Sequence, residues 1–177
     1  MIKGSRICTI GHASHVAMGL LLTWLAAGNA LAQSADLPNR KDPLERITTA
    51  GQPSGQQFGA AAASGFKSVI DLRGPQEDRG IDEKAAVEAL GMSYVNLPVE
   101  GAGGVTYGNA AVLDKLLAEL PRPVLIHCST GNRAGALLAL RAKLNGADSE
   151  SALALGVAGG VTALKATVEQ KVAQGHD

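Results

Sequence analysis

The sequence predicts a small three-layer α/β domain built on a parallel central sheet of four strands, or slightly more, with a helical C-terminus. Short runs of branched apolar residues alternate with helical stretches of about ten residues. Glycine and proline punctuate nearly every junction. One run, Val124 to His127, shows no polar alternation, as expected for a strand covered on both faces. Such units favour right-handed crossovers, and in parallel sheets ligands sit beyond the carboxyl ends of the strands. That directs attention to residues 73–80, residues 99–108 and the segment after His127.

The elements follow in order. Residues 1–32 differ in kind from the rest: Lys3 and Arg6 lie near the start, residues 16–27 read VAMGLLLTWLAA without a charge, and Ala30-Leu31-Ala32 has the small-x-small pattern that a signal peptidase reads. They are expected to form a signal peptide, cleaved between Ala32 and Gln33, that exports the protein to the periplasm. The apolar run is well short of the roughly 20 residues of a membrane span, so no stable membrane anchor is expected. Residues 33–45 are polar with two prolines and are expected to be an extended N-terminal segment, not a packed element. The domain itself is expected over residues 46–175.

Within it, residues 47–49 read as a short strand, and Ser54 is placed to cap a helix that runs to Ser64 and stops at Gly65. Residues 66–72 (FKSVIDL) are β-rich and bounded by Gly65 and Gly74-Pro75. Ala86, Ala89 and Leu90 mark a small helix over 82–90, stopped by Gly91, and residues 92–97 form the next strand, ended by Pro98. Leu113, Leu116, Leu117 and Leu120 fit the i, i+3, i+4, i+7 template of a helix that Pro121 ends. After the strand at 124–127 comes a helix over 133–144, with Leu137, Leu140 and Leu144 on one face. Two more helices follow, broken at Gly159-Gly160.

The 177 residues carry 16 basic and 16 acidic side chains and only 3% aromatics. There is neither a polybasic field nor a set of stacking platforms, which argues against a nucleic-acid partner. Without residues 1–32 the net charge is −2 and Cys128 is the only thiol, so no disulfide framework is possible. In an oxidising compartment a lone cysteine is either inert and buried or reactive. No spacing of His, Cys, Asp and Glu suggests a metal site, and no cofactor is expected.

The chemistry concentrates in His127-Cys128-Ser129-Thr130-Gly131-Asn132-Arg133-Ala134-Gly135, between a strand end and a helix start. The small residues Ser129, Thr130, Gly131 and Asn132 let the backbone curl so that successive N–H groups point inward, and the following helix adds its N-terminal dipole. Such a nest binds anions and favours the thiolate of Cys128. Arg133 offers a planar fork for two oxygens of a tetrahedral anion, and Arg73 is a candidate second positive charge, unless it forms a surface salt bridge with Glu77 or Asp78. His127 is expected to point away from the loop mouth. Together these residues suit attack on the phosphoryl group of a small anionic or phosphorylated substrate, giving a cysteinyl-phosphate that water then hydrolyses.

This segment resembles the signature of the cysteine-dependent phosphatases, and more closely the beta-lactamase hydrolase-like phosphatase domain family, within the dual-specificity, tyrosine-phosphatase-like fold. The resemblance extends from residue 47 to about 173 through Thr49-Ala50-Gly51-Gln52-Pro53-Ser54, residues 65–73 (GFKSVIDLR), residues 94–99 (YVNLPV) and residues 127–137. It implies a phosphatase-like phosphate loop after the last strand, Cys128 as nucleophile, Arg133 as phosphate ligand, and phosphate monoesters as substrates, with phosphotyrosine or a phosphoprotein as candidates. It also suggests that Gln52 lines the pocket.

The sequence departs from the general phosphatase signature at three points. Four residues, not five, separate Cys128 from Arg133. Ala134 stands where a Ser or Thr usually assists departure of the thiolate, leaving Ser129 or Thr130 as substitutes. The loop at 99–108 has no Asp to serve as general acid. Its only carboxylate is Glu100, flanked by glycines expected to let the loop close, and Asp71, at the end of a predicted strand, is the other candidate. A loop of this shorter size also resembles that of the rhodanese sulfurtransferases, which form a persulfide on the cysteine. A silent anion-binding module is the third reading.

Overall fold

Among the described residues, five strands form one sheet in the order β1-β2-β5-β3-β4: β1 (Lys41–Leu44), β2 (Ile47–Ala50), β3 (Ser68–Asp71), β4 (Ser93–Asn96) and β5 (Val124–His127). The computed structural model describes residue 1 and residues 35–175. The chain divides into two compact units, residues 1–30 and 31–177, and every element here belongs to the second. The expected signal peptide and its cleavage point fall outside the described residues, Met1 apart.

β2, β5, β3 and β4 are mutually parallel, as the sequence predicts, and β5 lies between β2 and β3. β1 corrects the expectation for residues 33–45. It pairs antiparallel with β2, and Ala35 and Leu37 just before it are buried. Its Pro43 and charged Asp42 hide the strand from pattern reading, but an edge strand tolerates both, because one side of it needs no ladder partner.

Among the described residues, six helices accompany the sheet: α1 (Gly55–Ala63), α2 (Glu83–Ala89), α3 (Tyr107–Glu119), α4 (Asn132–Leu144), α5 (Ser149–Ala158) and α6 (Lys165–Gln174). The start of α1 is set by a reciprocal cap, in which Ser54 Oγ accepts from Gln57 N–H and Gln57 Oε1 accepts from Ser54 N–H. Thr106, Asp82 and Asp148 cap α3, α2 and α5 in the one-sided form.

Side chains alternate along each strand, so the sheet builds two cores. Val124 and Ile126 of β5 join Ile70, Leu72 and the buried leucines of α3 and α4 on one face. Leu125 joins Val69, Phe58 of α1 and Val87 of α2 on the other. Continuing that alternation sends Cys128 to the α3/α4 face and His127 to the α1 face, where its ring meets Phe58 edge-on with centroids 5.8 Å apart.

α4 and α5 pack at backbone distance. A Cβ on Gly135 would lie 2.5 Å from Gly156 O, 2.7 Å from Gly159 O and 2.7 Å from Val161 N, all of them main-chain atoms. This contact seats the α5–α6 connection against the start of α4. Gly135→Ala is expected to destabilise the domain by about 1–3 kcal/mol through overpacking, read as a lower urea midpoint with an unchanged slope.

Candidate active site

The loop that carries Cys128 leaves β5 at its carboxyl end and turns directly into α4. Gly131 makes that turn possible. It adopts φ +90°, a left-handed conformation that favours glycine, and its N–H donates to Cys128 Sγ at 3.1 Å. Cys128 is buried and is the free cysteine among the described residues. Neighbouring strand ends hold the loop by its main chain: Gln52 N–H donates to Ser129 O at 3.2 Å, and Asn39 Nδ2 donates to Thr130 O at 3.2 Å. The first-turn N–H groups of α4 have no acceptor within the helix and carry the positive end of its dipole.

Arg133, in the first turn of α4, is already engaged. Its Nη1 donates to Glu77 Oε1 at 2.5 Å and to Val99 O at 2.9 Å, and its Nη2 donates to Glu77 Oε2 at 2.7 Å and to Ser129 Oγ at 2.9 Å. Nη1 also reaches Leu72 O at 3.4 Å, and Cys128 is a further hydrogen-bonding neighbour of the guanidinium. The sequence predicts that the Arg133 fork grips the substrate anion. In the structure the fork is paired with Glu77.

Glu77 also accepts from Gly74 N–H at 2.7 Å and from Ser129 Oγ at 2.7 Å. The hydrogen bonds from Arg133, acting against burial, hold its carboxyl down at about 2. The same pairing raises the pKa of Arg133 further above its ordinary value. Glu77 is thus a positioning residue, which fixes the guanidinium over the loop.

Asp71 and Arg73 stand elsewhere than expected. Asp71 pairs in register with His127 and shares its side of the sheet, opposite to Cys128. Arg73, expected at the cleft or in a surface pair with Glu77 or Asp78, is fully buried. It donates from Nε to Asp71 Oδ1 at 2.8 Å and from Nη2 to both Asp71 Oδ2 and Glu83 Oε2. Arg79 Nε and Tyr94 OH add bonds to Asp71 Oδ2 at 3.1 and 3.0 Å. Burial opposes the charge of Asp71, but these donors and the neighbouring His127 outweigh it and leave the carboxyl below its ordinary range. Neither Asp71 nor Arg73 reaches the nucleophile as an acid or an anion ligand.

His127 turns away from the loop mouth, as predicted, and its Nε2 lies 2.7 Å from Glu83 Oε1. The donor atoms of Asp71, Glu83 and His127 lie within 4.8 Å of one another, a grouping that no sequence spacing announces. A cation already serves it, because the Arg73 guanidinium bonds both carboxylates.

Of the loop residues, Ser129 faces Arg133 and Glu77, while Thr130 is exposed. The Asn132 carboxamide is turned to the α5–α6 connection, accepting from Thr162 N–H at 3.0 Å and Leu164 N–H at 3.3 Å, and so is not an anion ligand. Glu100 is exposed beside Gly74, where a Cβ would lie 3.5 Å from its Oε1. Its loop is a tight turn and not an open hinge. Gly104 N–H donates to Glu100 O at 2.9 Å, and any Cβ on Gly104 would collide with Glu100 N.

Two outcomes follow from these charges. The Glu77 carboxyl is depressed in the folded state, so its contribution is fully present above the ordinary value of 4.5 and is lost as pH falls through 4.5 towards about 2. Thermal melts from pH 7 to 2 are expected to show this loss, and Glu77→Gln is expected to flatten that part of the profile. Arg73→Met leaves two buried carboxylates facing each other, with an expected cost of about 3–5 kcal/mol in urea denaturation.

Comparison with known proteins agrees with this geometry. Residues 44–145 match the family described as beta-lactamase hydrolase-like protein, phosphatase-like domain. A beta-lactamase hydrolase-like protein of Agrobacterium fabrum is 39% identical over 106 residues, 58% of this chain and 24% of that protein. One from Xylella fastidiosa is 32% identical over 109 residues, 59% of this chain and 25% of that protein. The matched region therefore spans about a quarter of these relatives. Among solved structures, a candidate phosphatase of Neisseria meningitidis superposes with TM-score 0.64 at 23% identity, covering 73% of this chain and 94% of that one. The kinase associated phosphatase superposes with TM-score 0.61 at 12% identity, covering 77% and 93%. TpbA of P. aeruginosa, solved in complex with phosphotyrosine, gives 0.55 at 22% identity, covering 76% and 82%. With Cys128 and Arg133 on the loop between β5 and α4, a phosphatase-like fold around it and a family match across most of the sheet, the chain belongs to the beta-lactamase hydrolase-like protein, phosphatase-like domain family.

Proposed function

We propose that the protein is a cysteine-dependent phosphatase acting on phosphate monoesters. The observation that carries the reading is the placement of Cys128 Sγ at the N-terminus of α4, 3.1 Å from Gly131 N, with Arg133 anchored in the first turn of the same helix. The phosphoryl group sits in the loop on the first-turn N–H groups, beside the Arg133 guanidinium. The sulfur attacks phosphorus, an S–P bond forms, and the ester P–O bond breaks with its electron pair leaving on oxygen. Glu100, the exposed carboxylate beside the loop, gives the proton to that oxygen. Water then attacks the cysteinyl-phosphate, the S–P bond breaks, and inorganic phosphate leaves with the thiolate restored. Ser129, bonded to both Glu77 and Arg133, is the hydroxyl nearest in role to the one that Ala134 lacks.

Ala134, fully buried, and the four-residue spacing favour a second reading, sulfur transfer through a persulfide on Cys128. One set of assays separates the two. The purified protein is expected to release phosphate from an aryl phosphate, Cys128→Ser to abolish turnover, and Arg133→Lys to lower kcat by about 10²–10³, the scale of losing an oriented donor to transition-state charge. Turnover that survives Cys128→Ser overturns the proposal. A mass gain of one sulfur on Cys128 after thiosulfate, without phosphate release, replaces it with the second reading.

A further inference from the structure

Next to the nucleophile loop lies a cavity of about 420 Å³, bounded by Thr130, by residues 39 and 41 and by the α5–α6 connection. Among the described residues that line it, Lys41 is the charged one. Asn39, Thr130 and Thr162 supply polar groups, and Val157 and Val161 supply apolar surface. Val157 is 45% exposed, an apolar side chain presented to the cavity and left uncovered.

The walls are joined by hydrogen bonds. Asn39 Nδ2 donates to Thr130 O, Thr162 N–H donates to Asn132 Oδ1, and Thr49 Oγ1 donates to Gly159 O at 2.9 Å. Gly160, at φ +99°, backs onto Gly131, where its Cβ position lies 3.5 Å from Gly131 O. The same position lies 3.8 Å from Lys41 Cγ, so the lysine stem passes this glycine, and Lys41 lines the cavity. Arg40, one residue earlier, is paired with Asp42, whereas Lys41 is exposed and forms no ion pair among the described residues.

An ester whose phosphorus sits over Cys128 must leave the loop across its rim, and Thr130 is the rim residue shared with this cavity. We propose that the cavity receives the leaving group of the substrate, and that this group is a compact ring carrying a second anionic substituent, with Lys41 as the specificity-determining residue. The ring rests on Val157 and Val161, and the anion meets the ammonium. The volume suits such a group, lying at the small end of ligand pockets. This assignment rests on the phosphatase reading. Because Lys41 meets a part of the substrate that is unchanged in the transition state, its effect belongs in KM and not in kcat.

The test pairs phenyl phosphate with 4-carboxyphenyl phosphate. Calorimetric titration of Cys128→Ser is expected to give about tenfold tighter binding of the carboxylated ester, a preference that weakens with salt. Adding Lys41→Ala is expected to equalise the two esters, and Lys41→Glu to reverse their order. In the enzyme with Cys128 intact, Lys41→Ala is expected to raise KM for the carboxylated ester about tenfold and leave phenyl phosphate hydrolysis unchanged. Equal binding of the esters with Lys41 present, or equal effects of Lys41→Ala on both, overturns the subsite while hydrolysis keeps the phosphatase reading. A Lys41-dependent binding preference with no hydrolysis overturns the phosphatase reading and leaves the cavity as a ligand subsite. If neither ester binds nor is hydrolysed, both fail.

Discussion

The strict alternation of side chains along a strand buried on both faces governs this molecule. β5 is held by β2 on one side and β3 on the other, so its register admits no slip. Val124 and Ile126 enter one core and Leu125 the other, and the next two residues inherit their directions from them. His127 is committed to the α1/α2 side and Cys128 to the α3/α4 side. A shift of one residue would exchange nucleophile and histidine and place the thiol among buried carboxylates.

Charge is organised around the same division. Each of the two key arginines is matched by a carboxylate from one stretch of chain after β3. Glu77 reaches Arg133 on the loop side, and Glu83 reaches Arg73 and His127 in the interior. The connection between β3 and α2 therefore ties the loop to the buried network. An unpaired buried carboxylate or guanidinium is costly, so each partner restricts where the other can sit. Arg133 is held in place by Glu77 and Ser129.

Local signals in the sequence read well where they concern short-range physics. The cap at Ser54, the leucine spacing of α3 and the apolar run of β5 all appear as expected. So does the turn at Gly131 that brings Cys128 to a helix terminus. β1 was not legible, because an edge strand with Pro43 and alternating charge has the composition of a loop and acquires its ladder only from β2. The roles of Asp71 and Arg73 were equally hidden. Both lie at the carboxyl end of a strand, where ligands gather, and only the pleat and the arrival of Glu83 from α2 turn them inward. The glycines of residues 101–104 read as a hinge and serve instead as a tight turn.

The sequence by itself determined that this is an α/β chain with one thiol at a strand-to-helix junction, because period, caps and turn residues act over a few neighbours. It also determined that Cys128 and Arg133 share one loop and helix start, since they lie five positions apart. The partner of that arginine, the face on which each polar residue ends, and the cavity beside Thr130 were decided by tertiary structure. Glu77 and Arg133 are 56 positions apart in the chain, and Lys41 and Thr130 are nearly 90 apart. Interactions at such separations leave no periodicity to read, and exist only once the sheet order has brought the segments together.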